Sequence, residues 1–108
     1  MTGPRIRPRR LRATPAWRRL HRETRPEASR LVLPMFIAEG ASEARPIASM
    51  PGVVQHSTDS FRAALHRAAE AGIGGVMLFG VPEHKDALGS GATDPQGILN
   101  VATRIAVS

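Results

Sequence analysis

The 108-residue sequence contains no cysteine, which excludes a disulfide framework, a thiolate metal site and a cysteine nucleophile within these residues. No apolar run reaches the roughly 18–20 residues that a membrane helix needs, and the basic start is not followed by the apolar core of a signal peptide. The chain is therefore expected to be soluble, to have no membrane partner and to be cytoplasmic. Lysine occurs once, at Lys85, so any amine chemistry has a single candidate bearer. Aromatic residues are scarce, and Trp17 is the only one in the first thirty positions.

What is present is otherwise ordinary for a folded protein: 42% hydrophobic and 22% charged residues, near the usual proportions. The length suits one compact domain or a piece of a larger one. The formal charge of +6 is unevenly placed. Residues 1–30 carry ten arginines against Glu23 and Glu27, whereas residues 31–108 carry five basic and seven acidic side chains. The positive charge thus belongs to an arm, and the remainder is a slightly acidic, apolar body.

From Met1 to Ala13 prolines and arginines alternate with a few apolar residues, a composition that cannot bury its own surface and should be extended when bound to something. Thr14 offers a helix cap and Pro15 the favoured first helical position. Ala13, Trp17 and Leu20 follow at helical spacing, predicting a short helix through about Glu23 and then a polar linker to Arg30. Leu31 to Ile37 is a continuous apolar run, the pattern of a strand covered on both faces. Pro34 within it argues for an edge position or an interruption. Gly40 to Gly52 has loop character, and Ser49-Met50-Pro51-Gly52-Val53 reads as a tight turn leading into a short extended piece through Gln55.

Ser57, Thr58 or Asp59 can cap a second helix, in which Phe61, Ala64, Leu65, Ala68 and Ala69 share one face and Gly72 supplies the stop. Gly75 to Phe79 is a second all-apolar run, so strand, helix and strand form a βαβ unit with two parallel strands. A further helix is expected to begin at Thr93 or Asp94, with Pro95 in its first turn and Ile98, Leu99, Ala102, Ile105 and Ala106 on one face. The fold class is α/β. Two such units begin a repeating architecture whose eightfold closed form takes about 250 residues. The second strand should leave an apolar edge and face open, so that the isolated chain aggregates or stays loosely packed.

The order Arg7-Pro8-Arg9-Arg10-Leu11-Arg12, Thr14-Pro15-Ala16, Glu23-Thr24, Leu31-Val32-Leu33-Pro34-Met35-Phe36-Ile37, Ser49-Met50-Pro51-Gly52-Val53, Gly72-Ile73, Leu78-Phe79-Gly80-Val81 and Lys85-Asp86 followed by Gly89-Ser90 resembles the start of porphobilinogen synthases (5-aminolevulinate dehydratases). The resemblance covers nearly the whole sequence and rests on the joint presence and spacing of these segments. It implies the N-terminal part of a TIM barrel over residues 31–108, preceded by an extended arm over residues 1–30 that wraps a neighbouring subunit in a homo-oligomer, commonly an octamer. It further implies a lyase of tetrapyrrole and haem synthesis that condenses two 5-aminolevulinate molecules into porphobilinogen with loss of water, through a Schiff-base lysine and, in many members, zinc or magnesium. The lysines, carboxylates and metal-binding segment of the family lie on later strands. No catalytic, cofactor-binding or metal-binding residue is therefore carried over, and this chain alone is expected to be inactive.

Individual residues agree with that expectation. Lys85 lies in the loop after the second strand, on the barrel face where active sites gather, but Glu83, His84 and Asp86 surround it in a polar loop that would hold it protonated. The Glu83-His84-Asp86 run matches no metal-ligand spacing. His21, His56 and His66 stand alone. Gly72-Ile73-Gly74-Gly75 precedes its strand, so its amides cannot form a phosphate-binding helix start. The arm gives the one competing reading, a non-enzymatic interaction module whose basic arm binds nucleic acid through its phosphates or docks on a full-length synthase subunit. Arginine alternating with Leu11, Trp17 and Leu20 suits an acidic, partly apolar protein surface better than a nucleic acid. Arg7, Arg9, Arg10, Leu11, Arg12 and Trp17 are accordingly expected to be the subunit-interface residues.

Overall fold

The computed structural model describes residues 9–108. Residues 9–27 are exposed throughout. A single 3-10 turn, Arg10–Arg12, precedes helix α1, Pro15–Leu20. Thr14 caps α1 as its sequence requires, its Oγ1 accepting the Trp17 N–H at 3.2 Å. The helix stops three residues short of the expected Glu23, because no buried face holds it: Trp17 and Leu20 are both solvent-exposed, and Trp17 stacks only on His21, 5.5 Å between ring centroids.

Four strands form one sheet in the order β2-β3-β1-β4. β1 is Val32–Ala38, β2 is Arg45–Pro46, β3 is Val54–His56 and β4 is Gly75–Val81. β1 and β4 are parallel over seven residue pairs, from Val32 opposite Gly75 to Ala38 opposite Val81. β3 runs parallel to the other side of β1 at Phe36 and Ile37, and the two-residue β2 pairs antiparallel with β3. Of the edge position or interruption expected from Pro34, the edge is corrected for the strand as a whole, since β1 lies inside the sheet. Proline is tolerated there because pairing with β3 begins only at Phe36, so at Pro34 the strand has a neighbour on one side alone.

Helix α2, Thr58–Glu70, connects β3 to β4. Ser57 is its N-cap, in a reciprocal capping box with Ser60. Its C-terminus is a Schellman motif: Gly72 takes φ +72° and donates to the Ala69 carbonyl at 3.0 Å, and Ile73 donates to the Ala68 carbonyl at 3.1 Å. Of the five residues assigned to its inner face, Phe61, Ala64 and Ala68 are buried and Leu65 is half-buried, but Ala69 is exposed.

The last helix does not begin at Thr93 or Asp94. A short helix α3, Ser90–Thr93, precedes the break, and α4 runs from Ile98 to Val107. The Asp94 carboxylate is spent on the Gln96 N–H, 2.8 Å away, and forms a turn instead of a cap. The Asn100 side chain then staples the two helices, its Nδ2 donating to the carbonyls of Ala92 at 3.0 Å and Asp94 at 2.7 Å.

The helices cover one face of the sheet only. Met35 and Ile37 of β1 pack there with Phe61 and Ala64 of α2 and Ala102 of α4, and Val76, Leu78, Ile98 and Ile105 flank them. The opposite face carries the stacked rings of Phe36 and Phe79, 5.1 Å apart, with Val32 and Met77 exposed beside them. Both strands read as apolar throughout, the pattern of strands covered on both faces, yet among the described residues one face stands open.

Candidate functional site

Parallel pairing of β1 and β4 brings the two strand ends, and the segments that follow them, to one side of the sheet. Glu39 directly follows β1, and its backbone N–H donates to the Val81 carbonyl at the end of β4, 2.9 Å away. Its carboxylate Oε2 accepts the Glu83 N–H at 2.9 Å. Glu39 thereby ties the segment after β1 to the loop after β4. The loop leads into α3, and an open groove of about 570 Å³ lies between Glu39, His84, Lys85, Asp86, Asp94 and Leu99. Its volume lies within the range of small-molecule sites, and its place outside the strand C-termini is where ligands bind in parallel α/β folds.

The groove lining holds little chemistry. Lys85 is exposed, in the polar loop after β4. Asp86 is committed elsewhere: its Oδ1 accepts the Ser90 N–H at 3.0 Å and its Oδ2 accepts the Ser90 hydroxyl. These bonds hold its carboxyl below the usual carboxylate range, the Ser90 hydroxyl contributing most, because they favour the charged form. Glu83, His84 and Asp86 do not converge, and among the described residues no group of three or more histidine, aspartate or glutamate side chains could hold a metal ion. The described residues thus offer no ligand set for the zinc or magnesium of many family members, whose binding segment the resemblance places on later strands. Glu39 carries no sequence signal of its own and looks like any polar residue after a strand. Only the parallel register shows that it meets the β4 loop.

Of the expected interface residues, Arg9, Arg10, Leu11, Arg12 and Trp17 are all exposed, and Arg7 lies outside the described residues. Arg18 Nη1 donates to the Arg12 carbonyl at 3.0 Å, drawing the 3-10 turn and α1 together. Among the described residues the one ion pair is Arg30 with Glu27, 3.7 Å apart. His66 is exposed on α2, and His56 is half-buried at the end of β3.

The family model of delta-aminolevulinic acid dehydratase matches residues 5–107. The chain belongs to the delta-aminolevulinic acid dehydratase family. The dehydratase of Mycobacterium leprae is 63% identical over 103 residues, which is 94% of this chain and 31% of that protein. The dehydratase of Methanothermobacter thermautotrophicus is 39% identical over 106 residues, 96% of this chain and 32% of that protein. The crystal structure of the Toxoplasma gondii dehydratase (porphobilinogen synthase), in complex with the reaction product porphobilinogen, superposes with a TM-score of 0.78 at 30% identity, over 94% of this chain and 29% of that one. This member of the dehydratase family thus spans about a third of the length of these relatives. Among the described residues no helix is long and apolar enough to cross a membrane.

Proposed function

We propose that these residues build the opening segment of a cytoplasmic porphobilinogen synthase, the lyase that condenses two 5-aminolevulinate molecules into porphobilinogen with loss of water, and that the segment serves as scaffold and assembly surface. The observation that carries this reading is the one-sided sheet. β1 and β4 have a finished helical layer on one face and the Phe36–Phe79 stack uncovered on the other. An inner face of this kind suits the wall of a (β/α)8 barrel, whose interior is filled by side chains from all of its strands. The fold similarity to the porphobilinogen-bound relative supports the same geometry.

In this reading the chain's own residues hold positions and transfer no protons. Glu39 and the loop from Pro82 onward form part of the rim at the strand C-termini. The Schiff-base lysine, the carboxylates and any metal belong to the other two thirds of the barrel. The exposed arginines of residues 9–30 and the uncovered Leu11 and Trp17 dock on an acidic, partly apolar surface of a neighbouring subunit in an octamer-type homo-oligomer, with guanidinium forks pairing to carboxylates. The radius of gyration of 21.5 Å, against about 13 Å for a compact chain of this length, supports an arm that reaches away from the body.

The test is a chimera in which the corresponding third of the Mycobacterium leprae dehydratase is replaced by these 108 residues, assayed for porphobilinogen by its colour reaction. Activity close to that of the parent is expected. A soluble, assembled chimera without activity would overturn the proposal.

A further inference from the structure

The N-terminus of α2 contains a hydrogen-bond network whose proton count depends on His56. Ser60 Oγ lies 3.0 Å from the Ser57 N–H, 3.3 Å from Ser57 Oγ, 3.3 Å from the Ser57 carbonyl and 3.1 Å from His56 Nδ1. A hydroxyl donates one hydrogen bond and accepts two. With His56 neutral and its proton on Nε2, every demand is met: Ser60 donates to Nδ1 and accepts from the Ser57 N–H and the Ser57 hydroxyl. The Ser60 N–H in turn donates to Ser57 Oγ at 3.3 Å. Ser57 is only 3% exposed, so no solvent stands in for a lost partner.

Protonation of His56 reverses this arrangement. Nδ1 becomes a donor, Ser60 must accept it together with the Ser57 N–H, and the proton of Ser60 turns to the Ser57 carbonyl, which already accepts the Phe61 N–H at 2.9 Å. The Ser57 hydroxyl is left without an acceptor inside the protein, which is unfavourable for a buried polar group. The new charge also sits at the positive end of the α2 dipole. The elements around the ring offer little to offset it. α2 brings Arg67, whose charge opposes protonation, and the first-turn Asp59; β2 brings Arg45, opposite the neighbouring Gln55; β1 brings the apolar Ile37 in register.

We infer that His56 is a pH-sensitive latch on α2: the neutral ring closes the capping network, and its protonation releases the first turn of the helix. The consequence reaches the core, because that turn carries the fully buried Phe61, whose ring lies 6.3 Å from the His56 ring. Burial first, and Arg67 second, lower the pKa of His56 from its ordinary 6.5. A histidine depressed in the folded state binds fewer protons folded than unfolded. Its stabilising contribution is therefore complete above 6.5 and is lost as the pH falls from there toward the folded value.

Amide hydrogen exchange on the full 108-residue chain tests the latch, with the α4 amides of the same sample reporting that the chain is folded. Between about pH 7.5 and 5.5, after correction for intrinsic rates, protection of the Ser57, Ser60 and Phe61 amides should fall relative to α4. The fall can reach about tenfold for each unit by which the closed-state pKa lies below that of the open state. His56→Asn keeps a neutral acceptor and should make the ratio independent of pH, while Ser60→Ala should move the His56 titration toward 6.5. Equal pH dependence in His56→Asn and the parent, or first-turn amides unprotected even at the upper pH, would overturn the inference.

Discussion

Replacing Phe61 by alanine probes the joint that holds the helical layer to the sheet. Phe61 and Ile37 are the two largest side chains with no exposed surface, and Phe61 is in the same cluster as Met35, Ala64 and Ala102. Truncating a fully buried phenylalanine to alanine costs about 3–5 kcal/mol, the loss of burial adding to the cavity left behind. A chain of this length has a total stability of about 5–15 kcal/mol, and so few fully buried side chains place this one toward the lower value. At a urea dependence of about 1.5 kcal/mol per molar, a loss of 3 kcal/mol lowers the unfolding midpoint by about 2 M. Urea titration followed by far-ultraviolet circular dichroism measures the shift. A midpoint within about 0.5 M of the parent, at unchanged slope, would refute the argument that Phe61 anchors this layer.

Four further outcomes follow from the same geometry. Phe79→Ala, on the open face, should cost only about 1 kcal/mol in the isolated chain, mostly the stack with Phe36, but about 3–5 kcal/mol in the chimera if the barrel covers it; paired denaturation curves compare the two. Gly74→Ala should prevent a stable native sheet, because the added methyl would fall inside contact distance of the Ser29 carbonyl while the Gly74 N–H donates to Ala28 at 3.1 Å; thermal melting checks this. Ser57→Ala removes the cap of α2 and should cost about 1 kcal/mol by urea titration. Arg10→Glu with Arg12→Glu in the chimera should shift the assembly toward smaller oligomers in analytical ultracentrifugation, more so at low salt.

The βαβ unit was legible in the sequence because its signals are local. Ser57 and Gly72 mark the ends of α2, and the apolar positions between them have a helical period. The features not legible in the sequence depend on contacts across the chain. Asp94 and Pro95 look like a helix start, but the Asp94 carboxylate serves Gln96, and the Asn100 side chain reaches back from α4. The two-residue β2 has no propensity signal and exists only through its pairing with β3. Pro34 suggested an edge because composition cannot show how far along β1 its second neighbour begins. The groove's location at the strand ends followed from strand order, whereas the tie from Glu39 to Glu83 required the register. The uncharged role of Ser60 between His56 and Ser57 was likewise invisible, since serine is also a common surface residue.

The most direct measurement is complementation: the remaining two thirds of the Mycobacterium leprae dehydratase are supplied as a separate polypeptide, and porphobilinogen is assayed before and after mixing with the 108-residue chain. No product is expected from either polypeptide alone, and product once they associate through the open face of β1 and β4. Porphobilinogen formed by the 108-residue chain alone would contradict this, as would two soluble, folded pieces that neither bind nor turn over.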